Sequence, residues 1–503
     1  MLLALIATSV LAWRATAKTC SPLKNRDIFS TVEVKVGTPP QRFELVADTG
    51  SNTLIVQSCI CQDLGACPST FGRCFRGNST STFSIARDAT SNDSATHPEV
   101  WILKYGSGDI EALVSSDVVS LGSYSVRMNS SLLLMVSQAL KFDSSFEGIL
   151  GLGVPNLTVN TGPHGGTHRP QMLTSFLEEA KVKRFSLCFN SGADGVLALD
   201  YAAPAKLLPS VFHEHWQLRL RGASVAGHAL SMAQDSPAYA IPDSGTTLVT
   251  GPQEQITSLM EFICSEWPRC KQAKQDLTLS MAQVKTFSNR SFSGITRLSR
   301  KDRLLAAHAK WHGSGEMSQS GASFTASGAY ALQMLLEDCN NWKKGIDLNA
   351  EMPSIKLQLE GADGTQQEVE LLPSSYVAEV TSNAMVWTQK YLLGILPYWW
   401  PELEEDSSCA TLLGAADYVG HQVWILGTPL FYNRRVHFDL GHPPKMGFSE
   451  EPCGSCASGD YHTGDLALIQ GVNANVAMRQ LSSPGRVPWP KVSEPLGPLD
   501  VPI

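Results

Sequence analysis

The stretch Phe43-Glu44-Leu45-Val46-Ala47-Asp48-Thr49-Gly50-Ser51 places a carboxylate at the end of an apolar run, on a turn of small and hydroxyl residues. The pattern recurs in Tyr239-Ala240-Ile241-Pro242-Asp243-Ser244-Gly245-Thr246-Thr247. A carboxylate at the end of a buried strand is unusual once, and twice it points to a duplicated domain whose halves bring two aspartates together. Like charges at close range cannot both ionise easily, so such a pair shares one proton. One member then serves as acid and the other as base.

A second pair of motifs supports the duplication. Ile149-Leu150-Gly151 follows Phe146-Glu147-Gly148, and Ile425-Leu426-Gly427 follows Val423-Trp424. Each is an apolar pair closed by glycine, downstream of its own aspartate. With these motifs the chain resembles the pepsin-like aspartic proteases. Further matches are Gly37-Thr38-Pro39-Pro40-Gln41, Tyr105-Gly106-Ser107-Gly108, His215-Trp216-Gln217-Leu218 and Val436-His437-Phe438-Asp439. The resemblance runs through residues 28–450 in the family's order. A lone Asp-Thr-Gly fits any turn; two of them, with the tyrosine hairpin and both glycine motifs in register, are specific. The resemblance implies an all-β-dominated, bilobal fold with two pseudo-symmetric β lobes and a central cleft.

It also implies roles. Asp48 and Asp243 are expected to hold one water and hydrolyse peptide bonds without cofactor or metal, with activity on the acidic side. Gly50 and Gly245 let backbone amides approach the carboxylates, having no Cβ. Thr49 and Ser244 are expected to hydrogen-bond across the lobes, and Ser51 and Thr246 to donate to the outer carboxylate oxygens. Ordinary turn chemistry is the alternative for these hydroxyls. Tyr105, Gly106, Ser107 and Gly108 match the hairpin that folds over the cleft, the alternative being a plain turn. Val46, Tyr105, Leu140, Phe146 and Ile149 match the apolar pocket before the scissile bond, implying preference for a large hydrophobic residue. The chain departs from the family at Ile55, where a tryptophan partner of the flap tyrosine is usual, and only about ten residues stand where a propeptide would. The expected partners are peptides or proteins, not nucleic acid, and the expected state is a monomer. Two alternatives stand beside it: a catalytically silent peptide-binding protein on the same fold, and a serine or cysteine hydrolase. The second lacks support, because Gly106-Ser107-Gly108 has no nucleophile-elbow flanks.

The chain has 503 residues, 43% hydrophobic and 17% charged, enough for more than one core. Its formal net charge of −8 gives no sign of nucleic-acid binding. Met1–Trp13 is apolar and Ala15-Thr16-Ala17 is a small-x-small site, so residues 1–17 read as a signal peptide for the secretory route, with a secreted or acidic lysosome-like destination. A membrane anchor is the alternative, but the run is shorter than a bilayer requires. Twelve cysteines after such a signal read as disulfides. The resemblance suggests Cys61–Cys67 within Cys59–Cys74, the local pair Cys264–Cys270, and Cys339–Cys409. Cys20, Cys188, Cys453 and Cys456 are left for links between the chain ends and Arg184–Asn190. Zinc is the alternative for the close spacings, though no histidine pair at ligand spacing accompanies them. Glycosylation sequons stand at Asn78, Asn92, Asn129, Asn156 and Asn289.

Strand-like runs at Thr31–Val36, Arg42–Val46, Val100–Lys104, Val114–Leu121 and Ser125–Met135 place an N-terminal lobe at 28–203. Helical spacing is confined there to Met172–Ala180. Pro204–Pro209 reads as a linker and 210–452 as the C-terminal lobe. Asp48 to Ile149 is 101 positions and Asp243 to Ile425 is 182, so the second half holds 81 more. Insertions at 271–330 and 377–408 absorb the excess. The first reads as a solvated loop or a processing site near Arg300-Lys301. The second, with Trp387, Tyr391, Tyr398, Trp399 and Trp400, reads as a patch packed on the lobe or an exposed docking surface. Residues 457–503 form a Pro-rich tail expected to be disordered.

Overall fold

A computed structural model describes residues 19–26, 29–67, 73–86, 98–105, 108–139, 147–155, 173–201, 204, 206–212, 214–232, 237–287, 327–392, 396–416, 422–456 and 491–492. Strands dominate. Ser30–Val36 illustrates why: Val32, Val34 and Val36 are fully buried while Glu33 and Lys35 face outward, the two-residue period of a pleated strand. It pairs antiparallel with Gln41–Asp48, from Thr31↔Val46 to Val36↔Gln41, around the turn that holds Gly37-Thr38-Pro39-Pro40.

Two sheets carry the molecule, one of 14 strands and one of 8. Within the first, Gln41–Asp48 runs parallel to Gly148–Gly151, which is antiparallel to Leu54–Gln57. Within the second, Ala238–Pro242 runs parallel to Gln422–Leu426, which is antiparallel to Val249–Gly251. The duplicated sequence motifs thus lie on duplicated strand arrangements.

The first sheet reaches beyond the boundaries read from the sequence. It takes in Thr19–Asn25, paired with Ala193–Leu199 and Ser30–Val36. It also takes strands from the far end of the chain: Arg184–Asn190 pairs with Arg435–Asp439, and that with Lys445–Ser449. Leu208–Pro209, within the expected linker, is a short strand on Lys445–Met446. Among the described residues of the expected helix at Met172–Ala180, Phe176–Glu179 are helical, opened by a Ser175/Glu178 capping box.

Helices cluster in the second half. Gln253–Glu266 buries Ile256, Leu259, Met260 and Ile263, one stripe at helical spacing. Pro268–Phe287 and Gly328–Glu337 pack beside it. The loop reading of 271–330 is therefore corrected over 271–287, where Lys, Gln, Ala, Leu and Met are good helix formers. The Ser/Gly-rich remainder and Arg300-Lys301 lie outside the described residues. The insertion at 377–408 belongs to a ribbon, Val377–Leu392 paired antiparallel with Leu396–Thr411. Of the Pro-rich tail only Lys491–Val492 is described, as a strand alongside Glu379–Val380.

Six disulfides close: Cys59–Cys74, Cys61–Cys67, Cys264–Cys270, Cys339–Cys409, Cys20–Cys456 and Cys188–Cys453. Among the described residues no group of His, Cys, Asp or Glu is arranged to hold a metal ion. No helix among them is long and apolar enough to cross a membrane. Residues 1–17 lie outside the described set.

Candidate active site

Asp48 ends the strand Gln41–Asp48, and Asp243 directly follows the strand Ala238–Pro242. Both aspartates are buried. The charge of Asp243 bears directly on Asp48. Each turn supplies the same donors. Gly50 N–H donates to Asp48 Oδ1 over 2.8 Å and the Ser51 hydroxyl donates to Asp48 Oδ2. Gly245 N–H donates to Asp243 Oδ1 over 2.9 Å, and Thr246 Oγ1 donates to Asp243 Oδ2 over 2.6 Å.

The turns also cross. A Cβ on Gly50 would sit 2.7 Å from the carboxylate of Asp243, and one on Gly245 would meet Asp48 Oδ1. Glycine is required at both positions because each backbone presses against the other turn's carboxylate. Beneath them, Thr49 N–H donates to Ser244 Oγ and Ser244 N–H donates to Thr49 Oγ1, both over 3.0 Å. The two hydroxyls then donate onward, Thr49 Oγ1 to the Pro242 carbonyl over 2.9 Å and Ser244 Oγ to the Ala47 carbonyl over 2.7 Å. Four buried polar groups are thus satisfied reciprocally.

The glycine motifs support this floor. Leu152 N–H donates to the Asp48 carbonyl over 2.6 Å, and Asp243 N–H to the Leu426 carbonyl over 2.9 Å. A Cβ on Gly151 would strike the backbone of Asn52 and Thr53, and one on Gly427 the carbonyls of Thr246 and Leu248. Trp216 Nε1 donates to the Leu152 carbonyl over 2.9 Å, tying the segment after the linker to the first turn.

Electrostatics follow from burial. Asp48 is held well above the ordinary carboxylate range, first by desolvation and then by the charge of Asp243. The donors Ser51 and Gly50 pull in the opposite direction, because they favour the ionised form.

Tyr105 ends the strand Val100–Tyr105 and pairs with Gly108 at the start of Gly108–Leu121. Its hydroxyl lies 3.5 Å from Thr53 Oγ1. Burial raises its pKa. Ile55 is fully buried and shares an apolar cluster with Val46, Trp101, Leu103, Ile110 and Ile149, against which Tyr105 packs. With Ile55 at the position of the departure noted above, the phenol faces the hydroxyl of Thr53. Gly106, Ser107, Leu140 and Phe146 lie outside the described residues, as do Asn92, Asn156 and Asn289. Asn78 and Asn129 are exposed.

Two neighbours were missed from the sequence. Thr53 was hidden in a run of hydroxyl residues, and its place opposite Tyr105 depends on pairing across the sheet. His215 was read only as part of a matching motif. Burial lowers its pKa, opposed by the charges of Asp243 and Glu214 and a hydrogen bond to the Gly50 backbone.

A family model described as "eukaryotic aspartyl protease" matches residues 30–450. The chain is 29% identical over 262 residues to pepsin A-5 of Mus musculus, covering 50% of this chain and 62% of that one. It is 29% identical over 252 residues to cathepsin E of Aquarana catesbeiana (48% and 59%). It is 30% identical over 257 residues to napsin-A of Mus musculus (48% and 56%). The chain thus aligns with roughly three fifths of the length of these relatives. With two aspartate turns interlocked about a local two-fold and a family match that contains both, the chain belongs to the eukaryotic aspartyl protease family.

Proposed function

We propose that this chain is an aspartic endopeptidase that activates one water between Asp48 and Asp243. The observation that carries the reading is the pair of interlocked turns, which press each buried carboxyl group against the other turn's glycine and give each its own pair of donors. Two ionised carboxylates so placed repel, so one proton is shared by the pair. The ionised member takes a proton from the attacking water. The protonated member donates to the peptide carbonyl oxygen, giving a tetrahedral diol. Proton transfer to the amine then breaks the C–N bond, with no covalent enzyme intermediate.

The lobes of this reading are residues 28–203 and 210–452. Tyr105 and the hairpin that bears it cover the substrate, which binds as an added strand with side chains alternating into pockets. Val46 and Ile149, beside Ile55, favour a large hydrophobic residue before the scissile bond. Activity at acidic pH, passage through the secretory route, sequon glycosylation and a monomeric state complete the proposal.

A mixed peptide library at pH 4–6, with and without pepstatin, tests it alongside Asp48→Asn and Asp243→Asn. Pepstatin-sensitive cleavage after Leu or Phe, absent from both variants, is expected. An intact library despite bound peptide would favour the silent peptide-binding alternative. Cleavage that survives either substitution would refute the dyad.

A further inference from the structure

Two glutamines carry amides into the apolar cluster that holds Val46 and Ile149. In the strand Leu54–Gln57, Leu54 and Val56 join the large core with Phe43 and Leu150, while Ile55 joins the smaller cluster of Val46, Ile110, Met135 and Ile149. Side chains two apart along a strand share a face. Gln57 therefore follows Ile55 toward the smaller cluster, in register with Met135. Gln138 ends the strand Tyr124–Gln138 directly opposite Ile110 of the same cluster. Gln57 is only 1% exposed. Its Oε1 and Nε2, with Oε1 of Gln138, are buried, and none of the three has a hydrogen-bond partner among the described residues.

A desolvated amide without a partner costs free energy that an arriving polar group restores. Leucine or methionine would fill a similar volume at no such cost. Together the glutamines offer one amide donor and two acceptor oxygens. A neutral hydroxyl answers both, accepting from Gln57 Nε2 and donating to a glutamine oxygen. A charged end would instead be desolvated among apolar side chains. The walls that lead there are Val46, Ile55 and Ile149, with Tyr105 packed against them. Ile55 pairs with Ile149, and Gln57 lies beyond that pair on the side away from Asp48. Two residues of strand make a step of about 7 Å. A phenol ring spans such a step and a leucine side chain does not.

We propose that Gln57 and Gln138 make the pocket before the scissile bond selective for tyrosine, their amides binding its phenol hydroxyl. This rests on the aspartic-endopeptidase reading and sharpens its large hydrophobic residue to one that ends in a hydroxyl. Tyrosine buries its ring against apolar walls and satisfies its O–H at the far end. Phenylalanine meets the same walls but leaves the amides unpaired.

Two peptides built on a sequence cut from the mixed library, differing only in Tyr or Phe before the scissile bond, test this by the ratio of their kcat/KM values. The wild type should favour tyrosine about tenfold or more, since a site that hydrogen-bonds a substrate hydroxyl discriminates against the analogue lacking it. Gln57→Leu should bring the ratio to within about twofold of one. Gln138→Leu, at a partly exposed position, should lower the ratio too, and serves as the test should Gln57→Leu not fold. Equal cleavage of both peptides, a preference for phenylalanine, or a folded Gln57→Leu that keeps the wild-type ratio would overturn the proposal and leave the endopeptidase reading standing. A library left uncut would remove that reading and this proposal with it.

Discussion

At the scale of single residues, Asp48 and His437 carry opposite pH signatures. Asp48 is an acid whose folded pKa lies above its unfolded value of 3.8. Above that pH the unfolded chain has released a proton that the folded chain still binds, so this group's contribution to stability falls as pH rises. Asp48→Asn should therefore lower peptidase activity by at least ~10²-fold, the low end of the loss of a general acid or base. It should also raise Tm at pH 7 more than at pH 3.5; equal Tm changes at both would refute the electrostatic account. His437 is buried, with Nε2 3.1 Å from Ser449 Oγ. Desolvation, with Arg435 nearby, pushes its pKa from 6.5 down to about 4. Between those values the unfolded chain binds the extra proton, so stability is full above pH 6.5 and declines toward pH 4, by on the order of 3 kcal/mol. His437→Gln should flatten that decline in denaturant titrations, and an unchanged slope would exclude His437 as its source.

At the scale of elements, the reciprocal bonds of Thr49 and Ser244 join a strand end of one half to a strand end of the other. Both side chains are fully buried. Thr49→Val removes the hydroxyl that accepts from Ser244 N–H and strands that donor. A loss of about 1–3 kcal/mol is expected, with Thr49→Ser restoring most of it. In a double-mutant cycle with Ser244→Ala the two changes should be non-additive by at least about 0.5 kcal/mol. Strict additivity would mean that the turns are held by something else. Much of this was legible beforehand: an apolar run, an aspartate, a hydroxyl and a glycine, twice over, already imply two strands ending in matched turns. The helix at 271–287 was not, because it was read together with the Ser- and Gly-rich residues that follow it. The ribbon was not either, because the residues from Trp387 to Trp400 show no two-residue alternation of apolar and polar types.

At the scale of the whole molecule, the two halves are fastened at more than the dyad. Arg184–Asn190 of the first half pairs with Arg435–Asp439 of the second, and Phe185 stacks on Phe438 with ring centroids 4.7 Å apart. Cys188–Cys453 bridges the same two regions across 265 positions, and Cys20–Cys456 spans 436. Cross-links that close long loops restrict the unfolded chain most. Cys188→Ala/Cys453→Ala should cost about 2–5 kcal/mol in denaturant unfolding. The Cys61→Ala/Cys67→Ala pair, whose loop spans only 6 positions, should cost less. The reverse order would show that local strain, not chain entropy, sets the contribution of these bonds.

The sequence by itself determined the duplication, the pair of aspartates, the glycines beside them and the strand-rich class, because each is a local pattern of residue types along the chain. Tertiary structure alone decided that Thr53 faces Tyr105, that His215 borders the dyad, and that strands from both chain ends complete one sheet. Those relations depend on which distant segments hydrogen-bond to one another. Such partners are selected by shape and backbone satisfaction over the whole fold, and no window of neighbouring residues encodes them.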